Sequence, residues 1–423
     1  MKALQRKLGT LDAAALIFAK VVGVGIFTTL GIIAAAVPTT FYYLLTWVIG
    51  GVFALIGGMA YTQLAATYPK AGGEYTYIKR SLGSLLGFLS GWASFVAGFS
   101  GAIAASAIGF ASYLQNFGGL LDQVSGTLIA VALISISSFI HIISVKLGSS
   151  LHHVLNGLLV IALLVLVVAG LLSGPVDAVP KSTTPVFSFS SFLLILIPVF
   201  FTYSGWNAAV YVVEEIQDPK KNMVRATVLG VGAVFLIYFL INIMFVKVLG
   251  TAQIAGLVDP AYDLANKLLG LNGALAINLI ILLALISSVS AMIMTGPRIY
   301  FAMARDGLLP NPIQQIHRKF NTPHIAIILQ SIWSIVLVVT GTFEEILIYT
   351  GFSIVLFSGL AVSTLFFNKN VTFNSAQKLL FGLFVFVSFA LVLNGLIEAP
   401  WPALYGSGII LLGIPFFYYF KRR

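Results

Sequence analysis

Apolar stretches of about twenty residues, each long enough to cross a bilayer's hydrocarbon core as a helix, recur twelve times along this chain. They lie at 11–36, 42–66, 84–113, 126–144, 151–173, 191–213, 226–249, 272–303, 324–340, 345–367, 377–397 and 401–420. Lipid offers a backbone no hydrogen bonds, so each such stretch must satisfy its own amides, which a helix does. Only 9% of the 423 residues are charged and 59% are hydrophobic, whereas a soluble domain is about a quarter charged. Too little polar surface remains to cover a water-soluble globule. The expectation is an all-α membrane protein of 12 transmembrane helices in a single domain, with lipid as one of its partners. The connections are short, the main inner ones being 67–83 and 304–323 and the longest outer ones 174–190 and 250–271.

The net charge of +10 could point to nucleic acid, but its distribution excludes that. With the N-terminus inside, Lys181, Lys247 and Lys267 fall outside and Lys20 and Arg298 fall within spans, leaving 18 of the 23 Lys and Arg on the inner side. That asymmetry is the positive-inside signature and predicts cytoplasmic N- and C-termini. The basic start, MKALQRKLGTLD, has no small-residue cleavage site after it and reads as the entry to a retained first helix. The absence of cysteine removes disulfides, thiolate metal sites and thiol nucleophiles.

Two spans are interrupted. The first contains KVVGVGIF (20–27) and the sixth reads FFTYSGWNAAVYVVEEIQDP (200–219), with Ser204-Gly205 in its middle. A break at membrane depth strands N–H and C=O groups and is tolerated only where protein or a water-filled cavity satisfies them. Two breaks five spans apart are the pattern of an inverted-repeat secondary transporter. The repeats would cover 11–173 and 191–367, with two accessory helices at 377–420.

These residues carry a resemblance. GVGIF (23–27) resembles the helix-one break of the amino acid–polyamine–organocation (APC) transporters. YTQLAATYPKAGGEYTYIKRSLG (61–83) is similar to the inner-loop signature of that superfamily's amino-acid permeases. YSGWNAAVYVVEEIQDPKKNMVRA (203–226) and TGPRIYFAMARDGLLP (295–310) resemble its L-type amino-acid transporter branch. The resemblance implies a LeuT-type 5+5 inverted repeat with discontinuous helices 1 and 6, moving a small amine or amino acid by alternating access as a symporter or exchanger.

A zwitterion leaving water needs compensation for both charges. Unwound Val24, Gly25 and Ile26 can present N–H groups and a positive helix end to a carboxylate. By resemblance the ammonium falls to backbone around Lys20, Val22 and Gly23 and around Phe201, Thr202, Tyr203 and Ser204. Phe201 matches the family's substrate-closing aromatic and is read as a gate. Ser204 stands where the L-type pattern has glycine, which favours smaller or more polar neutral substrates. No Asp or Glu falls at the expected middle of a span, which again points to a neutral L-amino acid.

Lys20 lies about 13 Å into the first span at 1.5 Å per residue, and a charge there costs at least about 2.5 kcal/mol on insertion scales. In sodium-coupled relatives a cation sits near helices 1 and 8, and some APC members place a helix-five lysine there, where this chain has Leu159. Lys20 could supply that charge, contacting Ser287 or Ser288; a snorkelling or gate-lining lysine and a later helix start are the alternatives. Glu214, Glu215, Arg298 and Arg305 are read either as cytoplasmic gate ion pairs or as static loop anchors. Lys70, Gly72, Gly73 and Glu74 are expected to shape the inner loop rather than touch cargo. His141, His152 and His153 read as interfacial residues, not metal ligands.

The function expected is sodium-independent exchange or proton-coupled uptake of an amino acid at the cell membrane of a bacterium or archaeon. No cofactor and no obligatory partner subunit are expected, since the partner-linking cysteine of heteromeric animal relatives has no counterpart here. A sodium symporter is the alternative within transport. An intramembrane enzyme is the rival from another class, but no G-x-S-x-G, H-E-x-x-H or paired buried carboxylates are present.

Overall fold

The computed structural model describes residues 8–23, 25–68, 73–143, 146–173, 186–320, 322–368 and 371–421. The first apolar stretch folds as α1 (Thr10–Val21), α2 (Gly25–Thr28) and α3 (Leu30–Ala36), followed by α4 (Thr40–Thr67). A loop helix α5 (Gly73–Leu82) leads into α6 (Ser84–Ala93) and α7 (Ser100–Gln115), then α8 (Gly126–Ile143) and α9 (Lys146–Leu172). The second half runs α10 (Phe189–Thr202), α11 (Pro219–Val248), α12 (Gly250–Ile254), α13 (Pro260–Arg305), α14 (His324–Thr340) and α15 (Phe343–Phe367). It closes with α16 (Ser375–Glu398), α17 (Pro400–Leu411) and α18 (Gly413–Lys421). Among the described residues there is no strand, only a single bridge between Leu8 and Ile216.

Eight helices among the described residues are long and apolar enough to cross a membrane, and Gly157–Leu172, Phe189–Thr202 and His324–Thr340 are shorter apolar helices. The chain is therefore a multi-pass, all-helical membrane protein. Its outer face agrees: Leu172 is 82% exposed, Leu379 72% and Phe386 69%, a surface only lipid can solvate.

Two stretches differ from their sequence reading, the sixth and the third. The sixth stops as an α-helix at Thr202, and residues 208–215 form a 3₁₀ helix after a turn. The eighth, expected from 272, does begin after Gly270, whose φ of 69° breaks the 46-residue α13 into two helices. The third is not uniform: residues 94–99 between α6 and α7 wind as a π-helix. Wide turns of this kind misalign carbonyls, and side chains collect them. Tyr349 and Trp333 both donate to Val96 C=O, at 2.9 and 2.7 Å, and Tyr300 donates to Ser94 C=O at 3.1 Å. Mean hydropathy carries no trace of such a bulge, because it depends on partners hundreds of residues away.

α1 packs along α11, and α11 along α4; glycine sets the approach, since a Cβ on Gly230 would lie 2.8 Å from Ala14 C=O. α13 packs on α7 and α9, while α10 is held by α15, α16 and α4. His141, expected at an interface, is buried inside the bundle with Nε2 2.5 Å from Ser290 Oγ. The side chains of His152 and His153 lie outside the described residues.

Candidate functional site

The two interruptions meet. α1 ends at Val21, and the chain resumes as helix at Gly25. α10 contains Pro198, which offers no N–H, and ends four residues later. At Gly205 φ is +111°, a region open to glycine and strained for other residues. A Cβ on Gly205 would lie 2.9 Å from Lys20 C=O and 3.0 Å from Lys20 Cγ. A Cβ on Gly25 would lie 2.7 Å from Thr202 Cα. Thr29 and Thr202 share a hydroxyl–hydroxyl hydrogen bond of 2.9 Å, while Thr29 Oγ1 also reaches Gly25 C=O at 2.8 Å. Each break is thus packed against the other, through glycines that permit backbone contact.

A cavity of about 170 Å³ opens at this crossing. It is lined by Lys20, Val22, Gly23 and Gly25 from the first break and by Phe201, Thr202 and Ser204 from the second. Val24 lies outside the described residues. Ile26 is buried without lining the cavity. Tyr203 turns the other way, into a cluster with Trp47 and Tyr238, and donates to Trp47 C=O at 3.1 Å. Not every carbonyl near the breaks is free: Val21 C=O accepts from Tyr238 OH at 2.8 Å, and Phe201 C=O from the Ser204 amide at 2.9 Å.

Ser288 lines the cavity together with Lys20, and Gly23 faces it, with an added Cβ 3.6 Å from Ser288 Oγ. Ser287 is buried but not part of the lining. Leu159 is buried in the core. Arg298 is exposed and donates to Met294 C=O of its own helix at 2.7 Å, so it does not reach the cavity. The side chains of Glu214 and Glu215 lie outside the described residues.

Sequence reasoning missed several of the lining residues. Ser94 and Phe99, brought in by the π-helical turn, line the cavity, as do Trp206 and Asn207 just beyond the second break. Glu74 lines it too, although the sequence placed it in a loop-shaping motif. Its Oε1 accepts from Tyr61 OH at 2.6 Å and from Asn207 Nδ2 at 3.4 Å. Burial raises the Glu74 pKa above the usual carboxylate value, and these two hydrogen bonds only partly oppose it. The signal was a glutamate inside an otherwise small and aromatic run, GGEYTY; what it touches depends on how α5 folds back.

The opposite end of α5 is anchored to the end of α13. Asp306 accepts from Tyr75 OH and from Lys79 Nζ, both at 2.5 Å, the latter being the one ion pair among the described residues. Burial works to raise the Asp306 pKa, but the hydrogen bonds from Lys79 and Tyr75 and the charges of Lys79 and Arg305 outweigh it and lower it. A depressed folded-state pKa gives stabilisation present above the unfolded value and lost as pH falls through the folded one. Asp306→Asn should therefore lower the apparent melting temperature in detergent slightly, as exposed pairs contribute about 0.2–1 kcal/mol. The gap to wild type should hold at neutral pH and close below the usual carboxylate range; a gap unchanged at acid pH would show that charge is not its cause.

With two broken helices crossing over a cavity, comparison with known proteins becomes informative. The chain is 26% identical over 433 aligned positions to the large neutral amino acids transporter small subunit 2 of Mus musculus, covering 98% of this chain and 81% of that protein. It is 26% identical to the serine/threonine exchanger SteT of Bacillus subtilis (strain 168), covering 99% and 98%. It is 24% identical to the b(0,+)-type amino acid transporter 1 of Mus musculus, covering 99% and 88%. These are transport proteins rather than enzymes, which removes the enzyme alternative. The family model described as amino acid permease matches residues 8–418, and the chain belongs to that family, within the APC transporters and on the side of their L-type branch.

Proposed function

We propose that this protein moves a small neutral L-amino acid across the membrane by alternating access, through sodium-independent exchange or proton-coupled uptake. The observation that carries this reading is the crossing of the two interrupted spans at one cavity lined by both. The amide end of the segment beginning at Gly25 suits a carboxylate, and the carbonyls near Lys20 and Phe201 suit an ammonium. Phe201 is buried against the cavity, in keeping with a closing aromatic. The full layout we assign is twelve spans in a LeuT-type 5+5 inverted repeat, with both termini cytoplasmic. The exchanger and transporter names of its relatives support this reading.

Lys20 at the cavity wall, with Ser288 nearby, is the reason for preferring sodium independence. A fixed ammonium there leaves no need for a bound cation. One relative is named a small subunit, yet we read this chain as acting alone, because it has no cysteine with which to link a partner.

The test is uptake into proteoliposomes containing the purified protein, with twenty unlabelled amino acids competing against labelled L-serine and, in parallel, labelled L-leucine. Saturable exchange inhibited mainly by neutral amino acids, and equal in sodium and potassium, is expected. Sodium-dependent uptake would overturn the lysine argument, and absence of any amino-acid flux would overturn the transport reading.

A further inference from the structure

The cavity holds two ionisable groups among its described lining residues, Lys20 and Glu74. They do not form an ion pair, since the only one among the described residues joins Lys79 to Asp306. Glu74 is instead held by two neutral donors, the Tyr61 hydroxyl of α4 and the Asn207 amide. Asn207 belongs to the turn that interrupts the second broken span. The carboxylate is therefore bonded to a side chain carried by the break while it lines the space a substrate would enter.

Tyr77, one turn along α5, places near Glu74 a buried hydroxyl with no hydrogen-bond partner among the described residues; burial, and secondarily the Glu74 charge, raise its pKa. Tyr68 stacks beyond Tyr77, with Arg80 over its far ring, and Lys79, Tyr75 and Asp306 form the separate anchor described above. α6 contributes no ionisable side chain, and those of α15 are Glu344, Glu345 and Tyr349 in its first two turns, away from the Ser358 that lines the cavity. Among the described residues, no arginine or lysine donates to the Glu74 carboxylate. A buried carboxylate with neutral donors loses more hydration than it regains, so closure of the cavity favours the protonated acid and access of water favours the anion.

We propose that Glu74 is the proton-binding group of the transport cavity, taking a proton from water on one side of the membrane and releasing it to water on the other as the cavity changes its access. Its Oε atom gains the proton when the cavity occludes, the carboxyl passing from −1 to neutral, and loses it when the opposite mouth admits water. One proton then accompanies each zwitterion. This inference rests on the transport reading and adds to it the coupled ion and its residue.

Two measurements test it. The first is infrared titration of the purified protein without substrate. A protonated-carboxyl band that titrates nearer neutrality than an ordinary glutamate and is missing in Glu74→Gln supports the proposal; a spectrum unchanged by the substitution overturns it. The second is uptake of labelled L-serine, or of L-leucine if the competition screen selects it, with and without an acid-outside pH gradient. One coupled proton can raise accumulation by up to about tenfold per pH unit. Wild type should respond to the gradient, and Glu74→Gln should not, each judged as a ratio within the same protein. Glu74→Asp, which keeps an acid on a shorter stem, should respond with a displaced pH midpoint. A gradient response in Glu74→Gln equal to wild type overturns the proposal, and so does wild-type exchange indifferent to the gradient, which leaves the transport reading standing. If Glu74→Gln does not fold, an unshifted Glu74→Asp profile overturns it. If wild type moves no amino acid, the transport reading fails and the infrared band alone decides the proton site.

Discussion

Replacing Lys20 by alanine should lower amino-acid exchange at least about tenfold, equal to 1.4 kcal/mol of lost transition-state stabilisation, while the protein remains monodisperse in detergent. Lys20 lies in the last turn of α1, where a cation is favoured by the exposed carbonyls of that turn. Its stem lies against Gly205 and its surroundings include Ser288 across the cavity. A positive charge at that crossing can hold the two broken spans and the α13 wall in one arrangement and release them in another. Alanine removes both the charge and the packing of the stem, so a second variant separates them. Lys20→Met keeps the length and removes only the charge. Equal loss in both variants assigns the effect to the ammonium; full transport by Lys20→Met would reduce Lys20 to a spacer, and full transport by Lys20→Ala would remove it from the mechanism.

Gly205→Ala should be as damaging, for a steric reason. The backbone at φ +111° costs a non-glycine residue about 1–3 kcal/mol. The new methyl would also press on the Lys20 carbonyl at 2.9 Å, an atom of the other break that cannot swing aside as a side-chain tip does. Either the turn reforms or the two spans separate, and both outcomes deform the cavity. We expect transport to fall at least about tenfold, with a lowered melting temperature. Gly232→Ala is the control, because a Cβ there meets nothing within 4 Å on the helical α11, where alanine is preferred by about 1 kcal/mol. Equal transport by the two variants would show that the contact between the breaks is dispensable.

Much of this protein was legible before any coordinates. The spans, the two interruptions and the family rest on local properties, such as runs of apolar residues, GVGIF at 23–27 and YSGWN at 203–207. The lining residues Lys20, Gly23, Gly25, Phe201, Thr202 and Ser204 followed from them, because a break exposes polar backbone wherever it lies. Tyr203 did not follow, since two residues only two positions apart on a turn can face opposite ways. Arg298 did not either: proximity to a helix end leaves open which direction its side chain takes, and it bonds Met294 on the outer face.

By itself, then, the sequence determined that the chain must live in lipid, where two of its spans are interrupted, and which family it belongs to. Each of these follows from hydrophobicity, backbone preference or a short motif. Tertiary packing alone decided that the breaks touch, that the π-helical residues 94–99 reach the same cavity, and that Glu74 lines it as well. The reason is physical: solvation and helix formation act within a few residues, whereas a cavity is what remains between surfaces that meet across hundreds of them.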